Sequence, residues 1–304
     1  MRMILMSLLA LSVTASAGDS LEGPQNLESG RTLYVVGYAH LDSQWRWTYQ
    51  TTIDRFIKNT LEENFELLEK YPQYVFNFSG SSRYEMMKEY YPEHYERLKH
   101  YIAEKRWFPA GSSVDECDVL IPSPESVLRQ ILYGNAFFRA EFGTESNDFL
   151  LPDCFGFPAY MPSVWAHAGL LGFSTQKLTW GSAMGIPFNV GLWEGPDGRS
   201  ITAALNATDY VGSIPPRLDI NRDWIRRIDE NGRRSGIFAD YRYYGVGDMG
   251  GAPREEDVRN AIESLGNEDS EINVLLTSAD RLYQDLSKEQ KARLPKYIGE
   301  LMLT

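Results

Sequence analysis

From Arg31 onward the chain alternates between short runs rich in β-branched and aromatic residues and longer stretches whose apolar positions recur at helical spacing. "RTLYVVGYAH" reads as a strand, and Thr52 to Lys70 follows with Ile53, Phe56, Ile57 and Leu61 on one helical face. The strand "YVFNFSG", a charged amphipathic stretch from Arg83 to Lys105, the short strand "WFPAGSS", a helix opening at "PSPESVLRQILYGNAFFRAEFG" and the strand "DFLLPD" extend the pattern. "GLLGFSTQKL", "GLWEGPDGRSITAAL" with a hairpin turn at Asp197-Gly198, "ADYRYYGVGD", a helix near "REEDVRNAIESLG" and "INVLLTS" complete it. Such alternation predicts an α/β protein with a mainly parallel sheet, open or closed into a barrel. No Ser/Gly-rich linker, internal repeat or low-complexity tract divides it, so one domain is expected. Loops leaving the carboxyl ends of the strands build the site in such folds, and candidate residues are sought there.

Residues 1–17 read as an export signal: "MR" supplies a positive start, "MILMSLLALSV" an apolar core and "TASA" a small-residue cleavage site before Gly18. This predicts a secreted or periplasmic protein with no membrane span after signal cleavage, because no other run is long and apolar enough. Residues 18–30 are Gly/Pro/polar and read as an exposed linker. A formal charge of -12, from 30 basic and 42 acidic residues, argues against nucleic acid or anionic lipid and suits neutral or cationic small molecules. Two cysteines, Cys117 and Cys154, form no disulfide framework and leave one bridge or two thiols open.

Three strand ends carry polar groups that a core would not choose. In His40-Leu41-Asp42, alternation puts both polar side chains on one side of an extended backbone, an arrangement that suits either a divalent metal or a hydrogen-bonded pair. Asp153 ends the strand "DFLLPD" before the turn "CFGFP", as a helix N-cap or a site residue. Asp248 sits in the Gly-rich loop "YYGVGDMGGAP", as a site residue or a cap for the helix opening near Pro253; with no Gly-Lys-Ser/Thr following, the loop is no phosphate cradle. Asp115, Glu116 and Asp118, after "WFPAGSS", could line the same mouth or be solvated. His94 and His100 read as surface residues, and His167 as packed within an amphipathic helix. Trp45, Trp47, Trp107, Phe155, Trp180 and Trp193 could stack on the apolar faces of sugars or sit in the core.

In order, "AHLDSQWRW", "WFPAGSSVDECD", "PSPESVLRQILYG", "LLPDCFGFPAYMPSVWAHAG", "STQKLTWG", "FNVGLWEGPDG" and "YGVGDMGGAP" resemble the alpha-mannosidases of glycoside hydrolase family 38, most closely the bacterial branch, over roughly residues 31–304. The resemblance implies an irregular (β/α) barrel of mainly parallel strands with zinc at its mouth. It implies that His40 and Asp42 bind zinc, that Asp153 binds zinc and is the nucleophile, and that Trp45 packs on the sugar, with Asp115 and Phe155 as further substrate contacts. Asp248 is the candidate acid/base, although better-studied branches carry paired aspartates where this chain has Asp248-Met249. The family's fourth zinc ligand is a histidine beyond the point where "YIGELMLT" ends, so the resemblance also implies a catalytic domain incomplete at its C-terminus, with an exposed apolar flank that favours oligomers. The function expected is an exported, zinc-dependent, retaining alpha-mannosidase acting on terminal mannosides of mannose-containing oligosaccharides or N-glycans. The alternatives are a catalytically impaired remnant that only binds glycan and, more distantly, a metal-dependent deacetylase.

Overall fold

The structure is a computed structural model that describes residues 23–303. The export signal expected at residues 1–17 lies outside them. In chain order the elements are β1 (Thr32–Ala39), α1 (Tyr49–Thr51), a π-helical segment (Thr52–Ile57) running into α2 (Lys58–Lys70), β2 (Phe76–Ser79), α3 (Ser81–Tyr90), α4 (Pro92–Ala103), β3 (Trp107–Ala110), α5 (Pro124–Phe142), β4 (Asp148–Leu150), β5 (Gly156–Phe157), α6 (Met161–His167) and β6 (Gly172–Ser174). There follow β7 (Val190–Glu194), β8 (Ser200–Ala204), α7 (Arg222–Ser235), β9 (Ala239–Val246), α8 (Glu255–Glu263), β10 (Asn273–Leu276), α9 (Arg281–Asp285), α10 (Lys288–Arg293), β11 (Lys296–Ile298) and β12 (Leu301–Met302). The charged stretch from Arg83 to Lys105 is two helices, because Pro92 cannot continue α3 but is well suited to the first turn of α4.

The strands form two five-stranded sheets and a small ribbon. In the first, β1 pairs in parallel with β9 along its whole length, with β10 and β2 on its other edge, and β2 pairs with β3. In the second, the order is β11-β7-β8-β6-β4, parallel except for the β7–β8 hairpin, which turns at Asp197-Gly198 as expected. β12 pairs antiparallel with β5. The sheet is thus mainly parallel, but among the described residues the strands do not hydrogen-bond into a closed barrel. At one seam a side chain stands in for the ladder, where Gly111 N–H donates to Asp148 Oδ1 at 3.3 Å. At the other, Tyr243 N–H donates to Ala207 O, beyond the end of β8, at 2.7 Å.

β1 is buried on both faces, as parallel strands are. Leu33, Val35 and Ala39 pack with α2, α3 and α4, while Tyr34, Val36 and Tyr38 face a second cluster rich in tyrosine. Buried hydroxyls there need partners. Tyr34 donates to Asp285 at 2.7 Å, Tyr283 to Phe173 O at 2.9 Å and Tyr243 to Ser174 Oγ at 2.5 Å. Leu27, in the segment expected to be an exposed linker, is fully buried in this cluster, and its carbonyl accepts from Phe238 N–H at 2.7 Å. Burying its apolar side chain beside β9 outweighs the polar character of its neighbours.

Gly134, inside α5, lies against the backbone that leaves β3: an added Cβ would come within 2.4 Å of Ser112 O and 2.5 Å of Ser113 C. Helix propensity alone favours alanine over glycine by up to ~1 kcal/mol. Here the clash is with backbone, so Gly134→Ala is expected to lower the urea midpoint, by about 1–3 kcal/mol of stability; a stabilised variant would refute the close packing.

At the seam, Asp148 is fully buried, its Oδ1 also accepts from Ser146 Oγ at 2.5 Å, and its Oδ2 has no hydrogen-bond partner. Burial first, and then the Asp280 charge, push its carboxyl up to about 7. The folded chain holds this proton more tightly than the unfolded chain, where about 3.9 is ordinary, so stability falls as pH rises from about 4 to 7. Asp148→Asn should therefore stabilise the protein more at pH 8 than at pH 5.5, by about 1–2 kcal/mol in paired urea titrations. An equal effect at both values would contradict this.

Candidate active site

The site lies at the carboxyl ends of the parallel strands, and backbone pairing assembles its first half. Past the β1–β9 ladder, His40 N–H donates to Val246 O at 3.0 Å, Asp42 N–H to Asp248 O at 2.9 Å, and Gly250 N–H to His40 O at 2.9 Å. Leu41 and Met249 form a β-bridge between them, so Asp248 is placed beside His40 and Asp42 by main chain alone. Asp248 holds φ at 67°, a left-handed conformation that is uncommon for residues other than glycine. The turn after it is pinned by α2: Gly251 N–H donates to Thr60 Oγ1 at 2.8 Å, and Asn64 Nδ2 to Gly251 O at 2.9 Å. A Cβ on Gly250 would sit 2.5 Å from Thr60 Oγ1, which explains the paired glycines.

Arg83 holds the opposite side. Its buried guanidinium donates to Leu41 O, through Nε at 3.1 Å, and its Nη2 pairs with Asp115 Oδ1 at 2.8 Å. Asp115 also accepts from Ser43 Oγ at 2.9 Å. Its carboxylate therefore buttresses the loop after β1 while the side chain stays partly exposed, at 37%.

His40, only 4% exposed, is oriented by Glu116, whose Oε2 lies 3.0 Å from Nδ1. Glu116 is in turn held by Tyr38 and Ser79. Burial works against the Glu116 charge, but His40, Arg83 and Ser79 outweigh it and keep the carboxyl below its usual range. An ionised Glu116 makes Nδ1 the protonated nitrogen and turns Nε2 towards the other carboxylates. Nε2 is buried without a hydrogen-bond partner, with Asp42 Oδ1 at 3.4 Å and Asp153 Oδ2 at 3.7 Å. Burial opposes a charge on the ring, yet Glu116 and Asp42 together raise the imidazole to about 10. The pocket favours positive charge at Nε2, and a bound cation meets that demand as a proton does.

Ligand atoms of His40, Asp42 and Asp248 all lie within 4.8 Å of one another, a grouping that could hold a metal ion. One imidazole nitrogen with carboxylate oxygens suits a divalent ion of the zinc type, and the carboxylate–histidine pair behind it is the usual support for such a ligand. Asp153 lies close by, but its Oδ1 is engaged by Lys177 Nζ at 2.5 Å. Tyr210 OH lies 2.9 Å from Asp248 Oδ1 and 3.3 Å from Asp153 Oδ1, between the two carboxylates. Burial, followed by the charges of Asp153 and Asp248, pushes the phenol upward and keeps it a donor.

The structure thus brings together His40, Asp42, Asp153 and Asp248 from three loops roughly a hundred residues apart in sequence. Neither of the capping alternatives for the last two holds: α6 has Tyr160 and α8 has Arg254 at the N-cap position. Trp45 and Phe155 are exposed, whereas Trp107 and Trp193 are core. His100 lies at the surface as expected, His94 is half-buried against Phe65, and His167, expected to be packed, is exposed beside Asp197 and Arg199 because it ends its short helix. Cys117 and Cys154 are both free, with Cys154 Sγ 3.7 Å from Cys117 O. Lys177, Tyr210 and Arg83 were not anticipated. Only Lys177 offered a signal, a lysine following an apolar strand.

A carboxylate-rich, metal-type cluster at the mouth of a mainly parallel α/β fold defines a class of hydrolytic site. Residues 30–300 match the glycosyl hydrolases family 38 N-terminal domain, and the chain belongs to that family. It is 32% identical over 282 residues to alpha-mannosidase G of Dictyostelium discoideum, covering 91% of this chain and 25% of that protein. It is 29% identical to human alpha-mannosidase 2C1 over 281 residues, covering 92% of this chain and 26% of that protein. The chain spans about a quarter of the length of these relatives. The crystal structure of an alpha-mannosidase from Enterococcus faecalis V583 shares the fold with a TM-score of 0.69 at 21% identity, over 89% of this chain and 31% of that one.

Because Glu116 orients His40 and makes its free nitrogen a stronger base, Glu116→Gln should weaken divalent-metal affinity by about 10–100-fold. Competition against a chromophoric chelator would measure it. Unchanged affinity would mean that His40 is not a ligand or needs no support.

Proposed function

We propose that this chain carries the bond-cleaving site of a zinc-dependent, retaining alpha-mannosidase acting on terminal mannosides of mannose-containing oligosaccharides or N-glycans. The observation that carries the reading is the buried, unpartnered His40 Nε2 facing Asp42 and Asp153 while Glu116 holds Nδ1. The names of the two relatives, both alpha-mannosidases, support the substrate class. The sequence of residues 1–17 supports export to the periplasm or beyond, and residues 31–304 are assigned to the catalytic unit.

Zinc would be held by His40, Asp42 and Asp153, with Asp248, whose ligand atom lies within 4.8 Å of those of His40 and Asp42, beside them, and when bound it would supply Lewis-acid pull on sugar hydroxyls. Asp153, oriented by Lys177 and Tyr210, attacks the anomeric carbon and forms the glycosyl-enzyme. Asp248 gives its proton to the leaving oxygen and later takes one from water. One tyrosine hydroxyl reaches an oxygen of each carboxylate, which supports the short ~5–5.5 Å spacing of retaining enzymes over the ~6.5–9.5 Å of inverting ones, where a water must fit between the two groups. The exposed rings of Trp45 and Phe155 offer apolar faces to the sugar.

The full chain should contain stoichiometric zinc by elemental analysis and cleave an aryl alpha-mannoside, with activity lost on chelation and restored by zinc. Asp153→Asn should lower kcat by at least ~10³-fold while sugar binding persists. Normal turnover by that variant would remove Asp153 from its role. Zinc and mannose binding without turnover in the wild-type chain would favour the glycan-binding remnant instead.

A further inference from the structure

Trp180 has no part in the chemistry above, yet it is tied to it. Lys177, whose side chain is 3% exposed, places Nζ 3.3 Å from the centroid of the Trp180 ring and 2.5 Å from Asp153 Oδ1. The indole is thereby held at a set position relative to the attacking carboxylate by one shared ammonium, a cation–π contact on one side and an ion pair on the other. Trp180 is nevertheless 59% exposed, so much of the indole remains open to solvent. Exposure rises from His40 at the floor to Asp153 and to Trp180 at the rim, with the Lys177 ammonium buried between the last two.

The loop that bears Trp180 is also fastened. Ser182 Oγ donates to Met302 O at 2.6 Å and Ala183 N–H to Leu303 O at 3.1 Å, while Leu303 N–H donates to Phe155 O at 3.1 Å. Residues 302–303 therefore staple the Trp180 loop to the loop that follows Asp153, and Phe155 itself lies 5.3 Å from Lys177 Nζ. An exposed indole anchored on two sides is a preorganised surface, and among the described residues the contact recorded on its ring is that of Lys177.

We propose that Trp180 is the stacking platform for the second sugar, the pyranose on the leaving-group side of the cleaved bond. The ligand class is an α-linked mannose disaccharide or longer chain, whose inner ring presents an apolar C–H face to the indole. A terminal sugar seated over the buried floor leaves its neighbour further out, at the depth where Trp180 lies. The proposal rests on the mannosidase reading of Asp153.

The test compares the wild-type full chain with Trp180→Ala and Trp180→Phe on two substrates, an α-linked mannobiose and α-mannosyl fluoride, the second of which has no sugar on the leaving side. Trp180→Ala should lower kcat/KM on mannobiose about tenfold more than on the fluoride, and Trp180→Phe should recover most of the difference. Equal losses on both substrates, or no loss on either, would overturn the platform while leaving the mannosidase reading intact. If the wild-type chain cleaves neither substrate, the mannosidase reading fails and the leaving-side assignment with it, and calorimetric titration with mannobiose then decides whether Trp180 is a sugar-stacking platform at all. Binding that weakens about tenfold in Trp180→Ala still supports it, and undetectable wild-type binding overturns it.

Discussion

The buried pair of His40 and Glu116 is the interaction on which the site depends. Removing a carboxylate and an imidazole from water is expensive, and breaking such a pair costs about 3–5 kcal/mol because it strands a charge. Here the expense is offset by Tyr38, Ser79 and Arg83, which surround Glu116 and stabilise its ionised form. The consequence is directional. With Nδ1 committed, Nε2 is left among carboxylates with no hydrogen bond of its own, an arrangement that a bound cation would complete.

The geometry around that pair is set by main chain more than by side-chain packing. The β1–β9 ladder extends as a bridge through Leu41 and Met249, so His40, Asp42 and Asp248 are positioned by the same bonds that hold the sheet together. Arg83 closes the arrangement from the other side by donating to the carbonyl of Leu41, between the two expected ligands. Sites built on strand ends tolerate little displacement, which suits chemistry that needs reacting groups placed to within a fraction of an ångström. The second half, Asp153 with Lys177 and Tyr210, comes from the other sheet, and the two halves meet where side-chain and loop bonds replace the ladder.

Much of the fold could be read in advance because local rules and tertiary packing agree. Parallel strands buried on both faces appear as apolar runs, the Asp197-Gly198 hairpin appears as its turn residues, and Ile53, Phe56, Ile57 and Leu61 mark the buried face of the segment leading into α2. The tracts that misled carry weaker signals. Leu27 is a single apolar residue in a polar segment, and only the surface beside β9 decides that it is buried. His167 lies on a helix too short to bury its last turn.

At the site, alternation along β1 placed His40 and Asp42 on one side, and strand-end position singled out Asp153 and Asp248, because both are properties of a segment and its immediate neighbours. What the amino-acid order left open is everything that needs distance in three dimensions. Asp115 turns out to serve Arg83 and Ser43, Asp248 joins the metal-type cluster, and Lys177 joins Asp153 to Trp180. A charge run or a lone lysine has no partner until the chain folds, and at these positions the partner, not the residue type, decides the role.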